Sequence, residues 1–99
     1  MDPANPSNNI SDVVVSTAGR DQGAWFYVIS EEPNFLMLAN GKDRTLDKPK
    51  RKKRKHVQKV LRSETRVAEK LRRGAKVLNG ELRRDLAFLA KDASENLGG

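Results

Sequence analysis

VVVSTAGRDQGAWFYVIS, residues 13–30, decides the reading of this chain. Its opening VVVST is β-branched at every position but Ser16, and such side chains pack well on a pleated surface. AGRDQG, residues 18–23, then sets two glycines around a polar tripeptide, the composition of a tight turn that needs positive φ. AWFYVIS, residues 24–30, returns to aromatic and β-branched side chains. The stretch therefore predicts strand, turn, strand. Trp25, Phe26 and Tyr27 cannot all point inward, since neighbours in a strand face opposite sides of a sheet. Either Phe26 is core and its neighbours lie outward, or the reverse.

Working outward, EEPN at residues 31–34 interrupts the second strand, because Pro33 cannot donate to a ladder and Asn34 suits a turn. FLMLA, residues 35–39, has the composition of a third strand. Asn40-Gly41 is the preferred pair for a two-residue type I′ hairpin between Ala39 and Lys42. KDRTL, residues 42–46, is then expected to pair back as a polar outer strand, with Lys42 and Arg44 on one face. HVQKVL, residues 56–61, supplies a possible fifth strand. Short strands and tight turns in about 50 residues predict a small barrel, which curls to remove its sheet edges. Its core would come from Val13, Val15, Trp25 or Phe26, Val28, Phe35, Met37, Leu46, Val57 and Val60. This unit spans 12–62, and residues 1–11, rich in Pro, Asn and Ser, are expected to be a mobile tail.

From Ser63 the period changes. Val67, Leu71, Ala75, Leu78, Leu82, Leu86 and Leu89 recur at spacings of three and four, a helical stripe. Ser63 is the expected N-cap, with Glu64 at the positive end of the dipole. Asn79-Gly80 reads as the stop of one helix, or Asn79 as the cap of the next; two helices with a break there are expected, though one kinked helix fits the phase. The fold class is thus mainly β with C-terminal α: a helical segment at 63–93 follows the barrel, and 94–99 should fray.

Composition excludes several function classes. The 99 residues suffice for one small domain with a modest core, too little for a large enclosed active site. Cysteine is absent, which removes disulfides, zinc knuckles and a thiol nucleophile. His56 is the only histidine, a poor start for a metal site, and no motif marks a nucleophile or a catalytic carboxylate. No enzymatic activity, metal or cofactor is expected. The first eleven residues carry no readable secretory or transit signal, and no apolar run approaches the roughly 20 residues that cross a bilayer. No membrane association is expected, and the chain reads as soluble and cytoplasmic.

Charge is where this sequence is most unusual. Lys and Arg number 20 against 13 Asp and Glu, for a net +7. KPKRKKRK, residues 48–55, accounts for all of it: residues 1–47 have a net charge of −4 and residues 56–99 one of +4. Seven cations in eight residues repel one another, so the block should be an exposed loop that finds its partner in an anionic polymer. Each phosphate neutralised releases condensed counterion, and four to six contacts predict a log K against log salt slope of about −3 to −5. The rival readings are a solvated charged loop and a nuclear import signal, for which PKRKKRK has the composition.

VVVSTAGRDQGAWFYVIS resembles the KOW motif, a strand, glycine-containing loop and strand unit of ribosomal proteins and transcription factors. The order SxAGRDxG, then an NGK hairpin, then LDKPKRKKRKHV is similar to bacterial KOW-domain RNA-binding proteins related to the fourteenth large-subunit protein of archaeal and eukaryotic ribosomes. The resemblance covers residues 12–61. It implies an SH3-like barrel that binds structured RNA, expected to be ribosomal, without catalysis. Members of that family stop near the last barrel strand, so the helices are a departure with no inherited role.

The candidate RNA-binding residues follow: Arg20 at the tip of the first turn, Lys42 and Arg44 after the hairpin, and Lys48, Lys50, Arg51, Lys52, Lys53, Arg54, Lys55 and His56 in the basic block. Arg20 can meet phosphate or stack on a base, or merely pair with Asp21 as that residue caps the turn. His56 anchors the end of the block or contacts RNA. An outward aromatic of the second strand can stack on an unpaired base or be covered by the helices; the second is preferred, because the helical stripe must bury itself. That stripe packs on the barrel, on another copy or on a protein partner, while Arg72, Arg73, Arg83 and Arg84 can widen the RNA footprint. The alternative function is a protein-interaction adaptor of the translation or transcription machinery.

Overall fold

The computed structural model describes residues 9–98. Five strands come first: β1 (Asp12–Ser16), β2 (Trp25–Glu31), β3 (Phe35–Ala39), β4 (Lys50–Lys53) and β5 (Val57–Arg62). A 3₁₀ turn at Arg54–His56 joins the last two, and helices α1 (Arg66–Arg72) and α2 (Asn79–Gly98) follow.

All strand pairs are antiparallel, in the order β4-β3-β2-β1-β5. The first strand thus lies inside the sheet, between the second and the last. The sheet is open: the expected barrel does not close, and β4 and β5 remain its edges. Yet one short turn links those edges. In a flat sheet they would stand four strand spacings, roughly 19 Å, apart. Three residues of 3₁₀ helix rise only about 6 Å. The sheet must therefore curl strongly at this end.

Both faces of the sheet are covered. On one, Val14, Phe26, Val28, Leu36 and Leu38 form a core with Val57 against it. On the other, Val13, Tyr27 and Ala39 meet Val67, Ala68, Leu82 and Leu86 from the helices, with Trp25 and Leu46 packed alongside. Phe26 and Tyr27 are both core residues, one on each face, where only one of them was expected to be core; Tyr27 and Trp25 lie under the helices as preferred. The expected core is corrected in β3, where Leu36 and Leu38 are buried and Phe35 and Met37 only half-buried. FLMLA is apolar throughout, so it offers no alternation from which to read a face. Val15 is half-buried, and Val60 is 37% exposed where β5 loses register against β1 between Val13 and Val14.

The hairpin expectation fails more instructively. KDRTL is not a strand, and Asn40-Gly41 opens a loop over residues 40–49. The Asn40 Oδ1 accepts from the amides of Lys42 (2.9 Å) and Arg44 (3.0 Å), an Asx arrangement that holds the chain in a wider turn. The strand that returns along β3 is the basic block itself, pairing Lys50 with Leu38 and Lys53 with Phe35. Lys42 and Arg44 thus sit on a loop, not on a strand face.

Thr65, not Ser63, caps α1 by accepting from the Ala68 amide at 3.2 Å. Ser63 is buried and accepts a 2.8 Å hydrogen bond from the Tyr27 hydroxyl, whose other neighbours are Thr65 and Asp85. Burial first, then the adjoining Asp85 carboxylate, pushes the Tyr27 hydroxyl up to about 12. The break between helices falls earlier than expected, at Gly74 (φ 72°), and α2 begins at Asn79. Val67, Leu82 and Leu86 are buried and Leu71 and Leu89 partly so, so the stripe packs on its own sheet; Leu78 is 56% exposed. The expected fray at 94–99 is helical as far as Gly98.

Of the expected mobile tail 1–11, residues 1–8 lie outside the described residues. Asn9 and Ser11 are tied down, Asn9 donating its amide to Glu31 (3.1 Å) and Ser11 to the Val28 carbonyl (2.8 Å). Among the described residues no helix is long and apolar enough to cross a membrane.

Candidate nucleic-acid interface

The alternation of a strand sorts the basic block onto two faces. Lys50 and Lys52 point to the side of the Phe26 core, opposite Leu38 and Leu36, where the first turn waits with Asp21. Lys52 is 7% exposed: its ammonium donates to Asp21 Oδ1 at 2.6 Å and to the Ala18 carbonyl at 2.7 Å. Ser16 Oγ donates to the same carboxylate oxygen at 2.7 Å, and Lys50 faces the other oxygen at 3.4 Å. Burial raises the Asp21 pKa, but the hydrogen bonds from Lys52 and Ser16, with the charges of Lys52 and Lys50, outweigh it and hold the carboxyl at about 2. One acid thus fastens two cations of the block to the turn. Arg20, its sequence neighbour, stays exposed instead of pairing with it.

On the opposite face Arg51 lies 3.6 Å above the Phe35 ring and is forked onto the Glu32 carboxylate, at 3.1 to 3.3 Å. Arg54 is more fully engaged. It donates to Glu31 Oε1 (2.9 Å), to the Glu32 carbonyl (2.8 and 3.1 Å) and to Asn9 Oδ1 (2.8 Å), so it ties the 3₁₀ turn to the end of β2. His56 is half-buried, and its carbonyl accepts from the Thr17 amide at 2.9 Å, which anchors the end of the block to β1. The block is therefore an ordered edge strand and turn, where an exposed loop was expected.

The eleven sequence candidates now separate. Lys50, Arg51, Lys52 and Arg54 hold acids and backbone, and His56 anchors a turn. Arg20, Lys42, Arg44, Lys48, Lys53 and Lys55 are exposed and make no ion pair among the described residues. Two clefts organise them. One of about 470 Å³, between the first turn and the 40–49 loop, brings together Arg20, Arg44 and Lys50. The other, about 420 Å³, is lined by Asn34, Phe35, Lys53, Arg54 and Lys55. Lys42 and Lys48 line neither. Sequence reasoning missed the acids Asp21, Glu31 and Glu32 as partners of the block, and Phe35 as a surface ring. The EE of EEPN was the available signal, as an acidic pair able to offset part of a dense run of cations.

Among the described residues no group of His, Cys, Asp and Glu is arranged to hold a metal. No protein-family model matches the chain, and a search of curated proteins finds no match.

Proposed function

We propose that this chain is a non-catalytic RNA-binding protein, associated with ribosomal RNA, that grips phosphates along one edge of its sheet. The observation that carries the reading is the split of the cations: acids of the same chain fix four of them, and six exposed ones make no ion pair among the described residues around that scaffold. A merely solvated loop does not explain Lys52, which is buried and bonded so as to hold the strand in place. An import signal read in extended form would need β4 stripped from β3. The finer fold assignment, an SH3-like KOW barrel, is supported by the curled five-stranded sheet in which the first strand pairs with both the second and the last.

The adaptor alternative relied on a free helical stripe. Leu82 and Leu86 are buried against the sheet and Leu89 is partly covered, so the RNA reading is better supported.

The test is binding to ribosomal RNA over a series of salt concentrations, followed by sequencing of crosslinked RNA. Replacing Lys48, Lys53 and Lys55 with Gln together should reduce the magnitude of the log K against log salt slope by about 2 to 3, at roughly 0.7 to 0.9 per phosphate contact. The fold should survive, since none of the three makes an ion pair among the described residues. An unchanged slope would refute the phosphate role of this edge. Crosslinks concentrated at one large-subunit site would support the ribosomal assignment, and scattered ones would return the adaptor reading to first place.

A further inference from the structure

We infer that the cleft beside Phe35 is a pocket for a single unpaired nucleotide, with the phenyl ring as its stacking platform and Lys53 and Lys55 as its phosphate contacts. The inference rests on the RNA-binding reading and names the part of the interface that takes a base.

Phe35 faces the side of the sheet opposite the Phe26 core but beyond the residues that the helices cover, so its ring is only half-buried. Its register partner across the ladder is Lys53. Arg51, two residues earlier on β4, points to the same side and lays its guanidinium over the ring at 3.6 Å, where the fork onto Glu32 holds it. Arg51 does not line the cleft, whereas Phe35 does. The ring forms part of the cleft wall, and the guanidinium stacked on it lies outside that lining. Held by Arg51, the ring is an apolar surface of fixed orientation, which is what stacking of a base requires.

The rest of the cleft suits the remainder of a nucleotide. Lys53 and Lys55 are exposed and unpaired among the described residues, and the 3₁₀ turn places both at the same opening. Arg54, which also lines it, is held by Glu31, Asn9 and the Glu32 carbonyl, so it forms wall and not a free charge. Asn34 adds an amide able to donate to and accept from a base edge. The volume, about 420 Å³, falls within the roughly 300 to 1,000 Å³ usual for small-ligand sites. A base inside a duplex keeps its faces stacked on its neighbours, so this pocket discriminates for single strands. The cations alone do not.

The experiment compares the wild type, Phe35→Leu and the Lys53→Gln/Lys55→Gln pair, each titrated with a single-stranded and a fully duplex RNA of equal length. Leucine keeps an apolar side chain in the half-buried site while removing the ring. Phe35→Leu should weaken single-strand binding by roughly 5- to 150-fold, the range for losing one base stack, and leave duplex binding within about twofold. The lysine pair should weaken both. A Phe35→Leu protein that binds both RNAs as the wild type does, or loses both equally, overturns the pocket and leaves the phosphate edge standing. A wild type that binds neither RNA overturns the parent reading and this one with it. As a check independent of affinity, a single-stranded oligonucleotide should shift the Phe35 ring proton resonances of the wild type upfield; absence of that shift while binding persists also overturns the pocket.

Discussion

A residue with two oxygens fixes the character of the basic edge. Asp21 holds Lys52, Lys50 and Ser16 at once, and its carboxyl lies at about 2 against an ordinary 3.8. The sign of the linkage follows directly. Above about pH 5 the carboxylate is charged in both folded and unfolded chains, and its full contribution is present. As the pH falls through 3.8 the unfolded chain takes up the proton first, and the contribution shrinks until the folded carboxyl is itself protonated, below about pH 2. The shift is worth about 2 kcal/mol. Asp21→Asn should therefore destabilise the protein by about 2 kcal/mol or more at pH 7, because Lys52 stays buried without its counter-ion. The wild type and the variant should converge as the pH falls from about 5 to below 2. Urea unfolding at pH 7, 4 and 2 measures this, and a difference undiminished at pH 2 would show that the pair is not what the substitution removes.

Between elements, the decisive contact joins α2 to the 40–49 loop. Asn79, the first residue of α2, accepts the Leu46 amide through Oδ1 at 2.8 Å, while its carbonyl stands 2.2 Å from where a β-carbon on Gly41 would lie. Gly41 also has φ 78°, which a side chain disfavours. Gly41→Ala should cost about 2 to 4 kcal/mol through backbone strain and displacement of the helix start. Thermal unfolding and amide exchange would report it, with α2 the first element to lose protection; a variant as stable as the wild type would mean that the loop moves aside freely.

This contact also shows why the sequence was legible only in places. The β1-turn-β2 unit could be read because β-branched runs and two glycines act locally. The stripe from Val67 to Leu89 could be read because its period survives the break at Gly74. β4 could not, since Lys and Arg are poor strand formers and repel in a run, and the acids that relieve that repulsion come from residues 21, 31 and 32. Asn40-Gly41 pointed to a two-residue hairpin, but the Asn40 side chain and the approach of α2 impose a longer loop. Ser63 was the expected cap, but the Tyr27 hydroxyl, 36 residues away, takes it, and Thr65 caps α1 instead. For the site, the free cations were visible as letters, whereas their separation from the structural ones needed the register of β4.

At the scale of the whole molecule, the +7 is a residue of incomplete internal pairing, concentrated on one rim. One core and the helices occupy most of the two faces of the curled sheet, and that leaves its rim as the part open to a nucleic acid. A strand of RNA cannot lie across the strands as on an open platform and can only follow the rim. The eight residues of the block would extend about 26 Å if fully drawn out. The bound stretch should then be short, on the order of 4 to 8 nucleotides, at the low end for small β-domains. Affinity measured against oligonucleotide length should rise to that size and then level off. A continued rise past roughly 16 nucleotides would mean that a second surface, such as the exposed Arg83 and Arg84 of α2, takes part. On the proposed function, a protein of this build would recognise a brief exposed segment of a large folded RNA, because its own helices cover the rest of the sheet.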